Sequence, residues 1–170
     1  DRREAAPFEL ASGAKVGRYV VLHQVGAGAM GVVYAAYDPE LDRRLALKLL
    51  RPRSGSAEKQ SAGRTRLLRE AQALAKLTHP NVVAVHDVGT YEGRVYVAME
   101  FVEGETLSEW VKRAKPSRAE ILRVFTDAGQ GLAAAHRADL IHRDFKPENV
   151  ILAKDGSVRV LDFGLARATG

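Results

Sequence analysis

Two carboxylates, an amide and a lysine crowd into one late region of the chain. They lie in His142-Arg143-Asp144-Phe145-Lys146-Pro147-Glu148-Asn149, with Asp162-Phe163-Gly164 shortly after. Carboxylate and amide oxygens are hard ligands suited to Mg²⁺, which usually takes one or two protein groups and completes its shell with substrate phosphates. Residues of these types at this spacing call for a phosphorylated nucleotide, and the other half of its site must come from elsewhere in the chain.

Asp144, Asn149 and Asp162 meet only if the backbone reverses between the last two. Residues 150–152 and 158–161 are short apolar strands, and the turn Lys154-Asp155-Gly156-Ser157 lies between them. Asp-Gly between apolar runs is a strong hairpin signal. The hairpin predicted here returns Asp162 to the side of Asn149, with Asp144 just upstream in the same loop.

The bulk properties exclude several alternatives. The 170 residues, 46% hydrophobic and 28% charged, suit a soluble globular chain with one sizeable core or two small lobes. The net charge of +5 is modest and gathers in 51–69 and 112–118, as solvated faces do, so no nucleic-acid partner is expected. With no cysteine there is no disulfide, thiolate metal site or thiol nucleophile. No apolar run approaches the ~20 residues that span a bilayer. The chain opens on Asp1-Arg2-Arg3-Glu4, neither a methionine nor a signal peptide. The expectation is a cytoplasmic piece of a longer protein, which a later segment is free to anchor to a membrane.

Taken in order, 1–17 read as a flexible lead-in without period. Residues 18–25, 32–37, 44–50, 82–88 and 94–101 are β-rich runs, and 51–63 read as a loop. Residues 65–77 show helical spacing, with Leu67, Leu74 and Leu77 on one broad face and Glu70 among them. From Gly104 the character changes. A short helix is predicted over 106–114 and a long one over about 118–138, the latter opened by a capping box of Ser117 and Glu120.

Gly26, Gly28 and Gly31 form a G-x-G-x-x-G run between the first two strands. A dinucleotide-binding turn would open a helix there, whereas Val32-Val33-Tyr34 continue as a strand. The residues therefore predict a strand–turn–strand flap whose amides approach phosphate, with an ordinary glycine hairpin as the alternative. Lys48 lies on a strand face opposite Leu47 and Leu49. If that face is buried the ammonium needs a partner. Glu70 is the best placed, and Glu58, set among loop residues, a poorer one. On an edge strand Lys48 would be an ordinary surface lysine. Val33, Ala46 and Ile151 are candidate walls for a flat base, with Met99 behind and the backbone of Glu100 to Val102 as its polar edge. Each serves equally well as plain core.

These motifs together resemble the protein kinase family, in particular bacterial eukaryotic-like (Hanks-type) serine/threonine kinases. The resemblance rests on GAGAMGVV (26–33), LALK (45–48), Glu70 in LLREAQAL, HRDFKPEN (142–149) and DFG (162–164), in order over about 18–170. It implies an α+β kinase-like fold: a five-stranded antiparallel N-lobe with one helix over 18–103. A partial, mainly helical C-lobe over 104–170 would carry helices D and E, the catalytic loop and DFG. It implies ATP and Mg²⁺ as cofactors, Mn²⁺ being a possible substitute, and protein serine or threonine hydroxyls as acceptors, those of the chain itself included. By position, Val25, Gly26, Gly28, Gly31, Val33, Ala46, Lys48, Met99, Glu100, Val102 and Ile151 would bind ATP, and Glu70 would orient Lys48. Asp144 would orient the acceptor hydroxyl, Lys146 would reach the γ-phosphate, and Asn149 and Asp162 would hold the metal. His142 and Phe163 would pack beneath the loops, and Arg143 would pair with a phosphorylated activation segment.

Phe145 stands where the family usually has leucine, and Leu45 and Leu47 where valine and isoleucine are commoner; apolar bulk is kept in each case. The chain stops at Gly170, before the activation segment and later helices of the family. An exposed apolar patch on the long helix is therefore expected, with little peptide phosphorylation by these residues alone. Readings outside the protein kinases are a nucleotide-binding pseudokinase or scaffold, an inactive fragment, and a small-molecule kinase of the aminoglycoside type.

Overall fold

The structure, a computed structural model, describes residues 9–52 and 55–163. Its first portion is a six-stranded antiparallel sheet in the order β1-β2-β3-β4-β6-β5. The strands are β1 (Lys15–Val16), β2 (Tyr19–Ala27), β3 (Gly31–Asp38), β4 (Arg43–Leu50), β5 (Val85–Tyr91) and β6 (Arg94–Glu100). Helix α1 (Ala57–Ala75) is inserted between β4 and β5.

Strand β4 shows how the sheet is sorted. Leu45, Leu47 and Leu49 are almost fully buried on one face with Tyr19, Tyr34 and Tyr96. Ala46, Lys48 and Leu50 point the other way, where Leu50 joins Leu67, Ala71, Val95 and Val97 beneath α1. Fully burying one such leucine stabilises by about 1.5–3 kcal/mol, so a one-residue slip of β4 would forfeit several at once. α1 covers only one end of this second face. Beyond it the register sets Val33 opposite Lys48 and Met99 opposite Ala46.

Gly31 fixes how closely the β2–β3 turn approaches β4. A Cβ there would lie 2.2 Å from the Leu49 carbonyl oxygen, which is backbone and cannot swing away. Gly31→Ala is expected to lower stability by about 1–3 kcal/mol, read as a drop in the melting temperature.

The second portion holds β7 (Gly104–Thr106), α2 (Leu107–Ala114), α3 (Arg118–Arg137), a 3₁₀ turn (Pro147–Asn149), β8 (Val150–Ala153) and β9 (Val158–Val160). The last two strands form the expected antiparallel hairpin, with β7 adding to β8. Capping boxes open both helices, Thr106 with Glu109 and Ser117 with Glu120. Each satisfies two otherwise orphaned amides. Trp110, Val124, Ala128, Val150, Val158, Val160 and Phe163 form the core here. On the outer side of α3, Leu122 and Phe125 are exposed, as the apolar excess on that helix predicted.

Three expectations change. α1 begins at Ala57, well ahead of residue 65: Ser56, taken with Gly55 as a loop signal, is the N-cap and accepts from the Lys59 amide. Glu58 is thus on the helix, in its first turn. The lead-in is not loose along its described part: β1 pairs with β2, the Gly13 amide donates to the Val21 carbonyl, and that of Leu10 to the Tyr34 hydroxyl. Val82 lies outside β5 and bridges instead to Val160, tying the two portions together.

Candidate active site

The site gathers where the uncovered face of the first sheet meets the β8–β9 hairpin. Lys48 is 4% exposed and its Nζ lies 2.6 Å from Asp162 Oδ1. Asp162 is held by the hairpin: the Leu161 amide donates to the Asn149 carbonyl at 2.8 Å. Asn149 Nδ2 donates to the Asp144 carbonyl at 2.9 Å. A continuous run of polar contacts therefore links the β4 lysine to the Asp144 loop. Since the nitrogen of the buried Asn149 amide is engaged by Asp144, its oxygen is left to accept or ligate.

His142 is the post on which this loop is built. It is buried, packing edge-on against Phe163 with ring centroids 4.7 Å apart, and against Phe145. Nδ1 accepts from the Asp144 amide, so the neutral ring carries its proton on Nε2 and donates it to the Leu161 carbonyl. Burial depresses the pKa of His142 from 6.5, outweighing the carbonyl and the nearby Asp162 and Asp144 carboxylates. The folded state thus binds fewer protons than the unfolded one as pH falls below 6.5. Stability is full above that value and is lost as pH descends through the lowered folded pKa. His86, whose pKa is also depressed by burial, contributes in the same sense. The melting temperature is expected to fall between pH 7 and pH 5, less steeply in His142→Asn than in the parent chain.

Backbone strain marks this loop and the residue that follows the hairpin. Arg143 and Asp162 have φ of 68° and 62°. The left-handed region costs a side-chain-bearing residue roughly 1–2 kcal/mol; aspartate tolerates it better than arginine. These two conformations set the direction in which Asp144 and Asp162 leave the chain. Asp144 is 40% exposed at its side chain, with Lys146 Nζ 3.3 Å from its Oδ2.

The expected pairing of Lys48 with Glu70 is not the one formed. Glu70 Oε1 lies 3.6 Å from Arg143 and 3.4 Å from Arg66, one turn back on α1, and its buried Oε2 has no hydrogen-bond partner. Lys48 is already held by Asp162 at hydrogen-bond distance, while Arg143 offers Glu70 a cation from the loop. Gly164 lies outside the described residues.

The glycine turn divides its labour. Gly26 and Gly28 have open space where a Cβ would be, leaving room for a ligand against the backbone, whereas Gly31 answers to β4. Val25 at the mouth is exposed; Val33, Ala46 and Ile151 are half-buried, as pocket walls are. Met99 packs near the α1 core. The Glu100 amide donates to Ala84, so on the candidate polar edge that donor is engaged and Val102 lies in irregular backbone after β6. The sequence did not reveal how this stretch is braced. Arg159 of β9 binds Glu100 at 2.9 Å, and Glu103 is paired with both Arg44 and Lys154. The available signal was Arg159 itself, a charge between the buried Val158 and Val160 that must face away from their core.

Comparison with known proteins agrees with this geometry. Residues 19–170 match the protein kinase domain family, and the chain belongs to it. It is 39% identical over 153 residues to a probable serine/threonine-protein kinase, PknB, of Lactococcus lactis, covering 89% of this chain and 24% of that protein. It is 40% identical over 166 residues to the serine/threonine-protein kinase PknJ of Mycobacterium tuberculosis, covering 95% and 28%. Among solved structures, the M. tuberculosis PknI kinase domain superposes with a TM-score of 0.80 at 34% identity, over 92% of this chain and 62% of that one. The PpkA-294 apo form superposes with a TM-score of 0.81 at 27% identity, over 94% and 63%. The chain thus spans about a quarter of the length of these curated relatives. It is part of a bacterial Hanks-type serine/threonine kinase domain, a family that uses ATP and a divalent metal. Among the described residues no helix is long and apolar enough to cross a membrane.

Proposed function

We propose that these residues form the nucleotide-handling part of a protein serine/threonine kinase, which moves the γ-phosphoryl group of ATP to a serine or threonine hydroxyl. The observation that carries this reading is the linked set Lys48–Asp162, Leu161–Asn149 and Asn149–Asp144, which brings the buried lysine, Asp162, Asn149 and the Asp144 backbone together. ATP with its divalent cation supplies the transferable phosphoryl group and neutralises its charge. Asn149 and Asp162 would hold the cation. An amide and a carboxylate are hard donors, which favours Mg²⁺ while leaving Mn²⁺ acceptable.

Around that group the chain's own residues take distinct parts. Lys48 meets the α- and β-phosphates, close to the turn where Gly26 and Gly28 leave backbone open. Val33, Ala46, Met99 and Ile151 enclose the base, with Val102 at its polar edge. Asp144 fixes the acceptor hydroxyl and takes its proton. A carboxylate is a weak base for a serine hydroxyl. The phosphoryl-transfer transition state is loose and asks little proton transfer early. Orientation is therefore the larger contribution, with about 7–11 kcal/mol available to it. Lys146 sits beside Asp144 and offsets charge gathering on the γ-phosphate and the attacking oxygen. Acceptors include serines and threonines of the protein itself, in a cytoplasmic setting where ATP is at hand.

Transfer of label from γ-labelled ATP tests the class. The protein extended through the rest of its kinase domain is expected to label itself and a serine/threonine peptide, and to spare a tyrosine-only peptide and an aminoglycoside. Preferential labelling of the aminoglycoside would overturn the reading.

A further inference from the structure

In the proposed site the base meets the connector between β6 and β7, and this connector has no ladder of its own to hold it. β6 ends at Glu100, β7 begins at Gly104, and residues 101–103 belong to no strand. The stretch is fixed at its two ends instead. At Glu103 the carbonyl accepts from the Lys154 amide at 2.9 Å, and the carboxylate pairs with Arg44 and Lys154. At Glu100 the amide donates to the Ala84 carbonyl, and the carboxylate accepts from Arg159 Nε at 2.9 Å. These ion pairs are unequal. Those of Glu103 join side chains about half exposed or more, and such pairs contribute little. Arg159 and Glu100 are 22% and 29% exposed, so their attraction is screened less.

The β8–β9 hairpin sets Arg159 in this place. Val158 and Val160 are fully buried, and a strand turns alternate side chains to opposite faces, so Arg159 leaves on the other one. Its register partner on β8 is Ile151. Directly opposed residues of an antiparallel pair share a face. Arg159 therefore emerges beside one candidate wall of the base pocket and reaches the candidate polar edge from it. A cavity of about 320 Å³ beside the connector is lined by Glu100, Phe101, Glu103, Lys154, Asp155 and Arg159, among others. Its charged groups answer one another, since the third carboxylate, Asp155, accepts from the Ser157 amide and hydroxyl. The space marks a brace and calls for no ligand charge. We propose that Arg159 is a positioning residue for the nucleotide base: by holding Glu100 it fixes the backbone of 100–102 where the donors and acceptors of the base meet it. The proposal rests on the reading of Val33, Ala46, Met99 and Ile151 as the base pocket. Acting only through Glu100, Arg159 sets nucleotide affinity and leaves transfer from the bound nucleotide alone.

The test is a double-variant cycle in the complete kinase domain, with Arg159→Met, Glu100→Met and the two together. Each substitution keeps an unbranched stem and removes one charge. The readouts are calorimetric titration with ATP and Mg²⁺, and displacement by adenosine, which carries the base without phosphate. Each single variant is expected to weaken ATP and adenosine alike, by about three- to tenfold, the effect of roughly one hydrogen bond. The double variant should be no weaker than either single one, because both remove the same contact. KM for ATP should rise while kcat at saturating ATP is unchanged. Lys154→Met, which removes an exposed pair of the same connector, should match the parent. Unchanged ATP affinity in the single variants overturns the proposal, as do additive losses in the double variant or a loss confined to ATP. A fall in kcat as large as that in affinity, or an equal loss in Lys154→Met, also overturns it. Should Arg159→Met not fold, Glu100→Met decides on the same readouts. Failure of the parent domain to bind ATP would remove the base pocket and this proposal with it, whereas a binding parent with unchanged variants removes only the role of Arg159.

Discussion

Asp144→Asn in the complete kinase domain is expected to lower phosphoryl transfer by about a hundredfold or more while leaving ATP affinity within a few-fold. The substitution is close to isosteric. The three contacts that place the residue are its own amide to His142, its carbonyl from Asn149, and a salt bridge to Lys146 through Oδ2. The first two are backbone contacts and survive. The third joins two side chains that are each about half exposed, and such pairs contribute at most ~1 kcal/mol. The variant should therefore fold and bind nucleotide normally. What it loses is a carboxylate that can accept from the acceptor hydroxyl and point its oxygen at phosphorus. A general acid–base group alone contributes about 10²–10⁴-fold, and loss of orientation adds to that. Single-turnover label transfer and an ATP titration on the same preparation separate the two quantities. A large rise in ATP Kd with turnover little changed would remove Asp144 from the assigned role.

Lys48→Met is expected to act the other way, on nucleotide binding first. The ammonium is nearly buried and its described ion partner is Asp162. Methionine keeps the apolar stem between the register neighbours Val33 and Val97 and removes only the charge. Charge-assisted hydrogen bonds contribute about 1.5–3 kcal/mol each, and tenfold in affinity corresponds to about 1.4 kcal/mol. Loss of one such phosphate contact should weaken ATP roughly tenfold to a hundredfold, and turnover by at least as much. Stability should change less, because the Asp162 carboxylate left behind is partly open to water and can be solvated. Calorimetric titration of parent and variant measures the effect. Equal ATP affinity in the two proteins would mean that Lys48 serves the fold rather than the nucleotide.

How far the sequence could be read depended on whether a feature was local. The alternation of Leu47 and Leu49 with Ala46 and Lys48 placed β4 and set Lys48 on the face opposite the leucines. Ser117 with Glu120 placed the start of α3, and Asp155-Gly156 placed the hairpin that returns Asp162 to Asn149. Each of these rests on residues within a few positions of one another. The start of α1 was misread because Ser56 serves equally as a turn former and as a helix cap, and because Gly63, a poor helix former, is buried within the helix. Strand β1 has only two residues, too few for any period to show.

The partner of Lys48 was the deeper miss. Glu70 follows it by one helix and Asp162 by most of the chain, yet Asp162 is the one in contact. Such a choice is decided by how far α1 stands from β4, and by Arg143, whose guanidinium draws Glu70 toward the loop. Neither quantity is written in the spacing of motifs. The braces Arg159–Glu100 and Arg44–Glu103–Lys154 were hidden for the same reason, since each joins separate elements.

The central claim is that Lys48, Asn149 and Asp162 form one site for ATP with its divalent cation, and a melting-temperature titration of the 170-residue chain tests it most directly. ATP with Mg²⁺ should raise the melting temperature in a saturable way, more than ATP with EDTA does, and the gain should disappear in Lys48→Met and in Asp162→Asn. A shift that is absent in the parent chain, or equally large in both variants, would contradict the account.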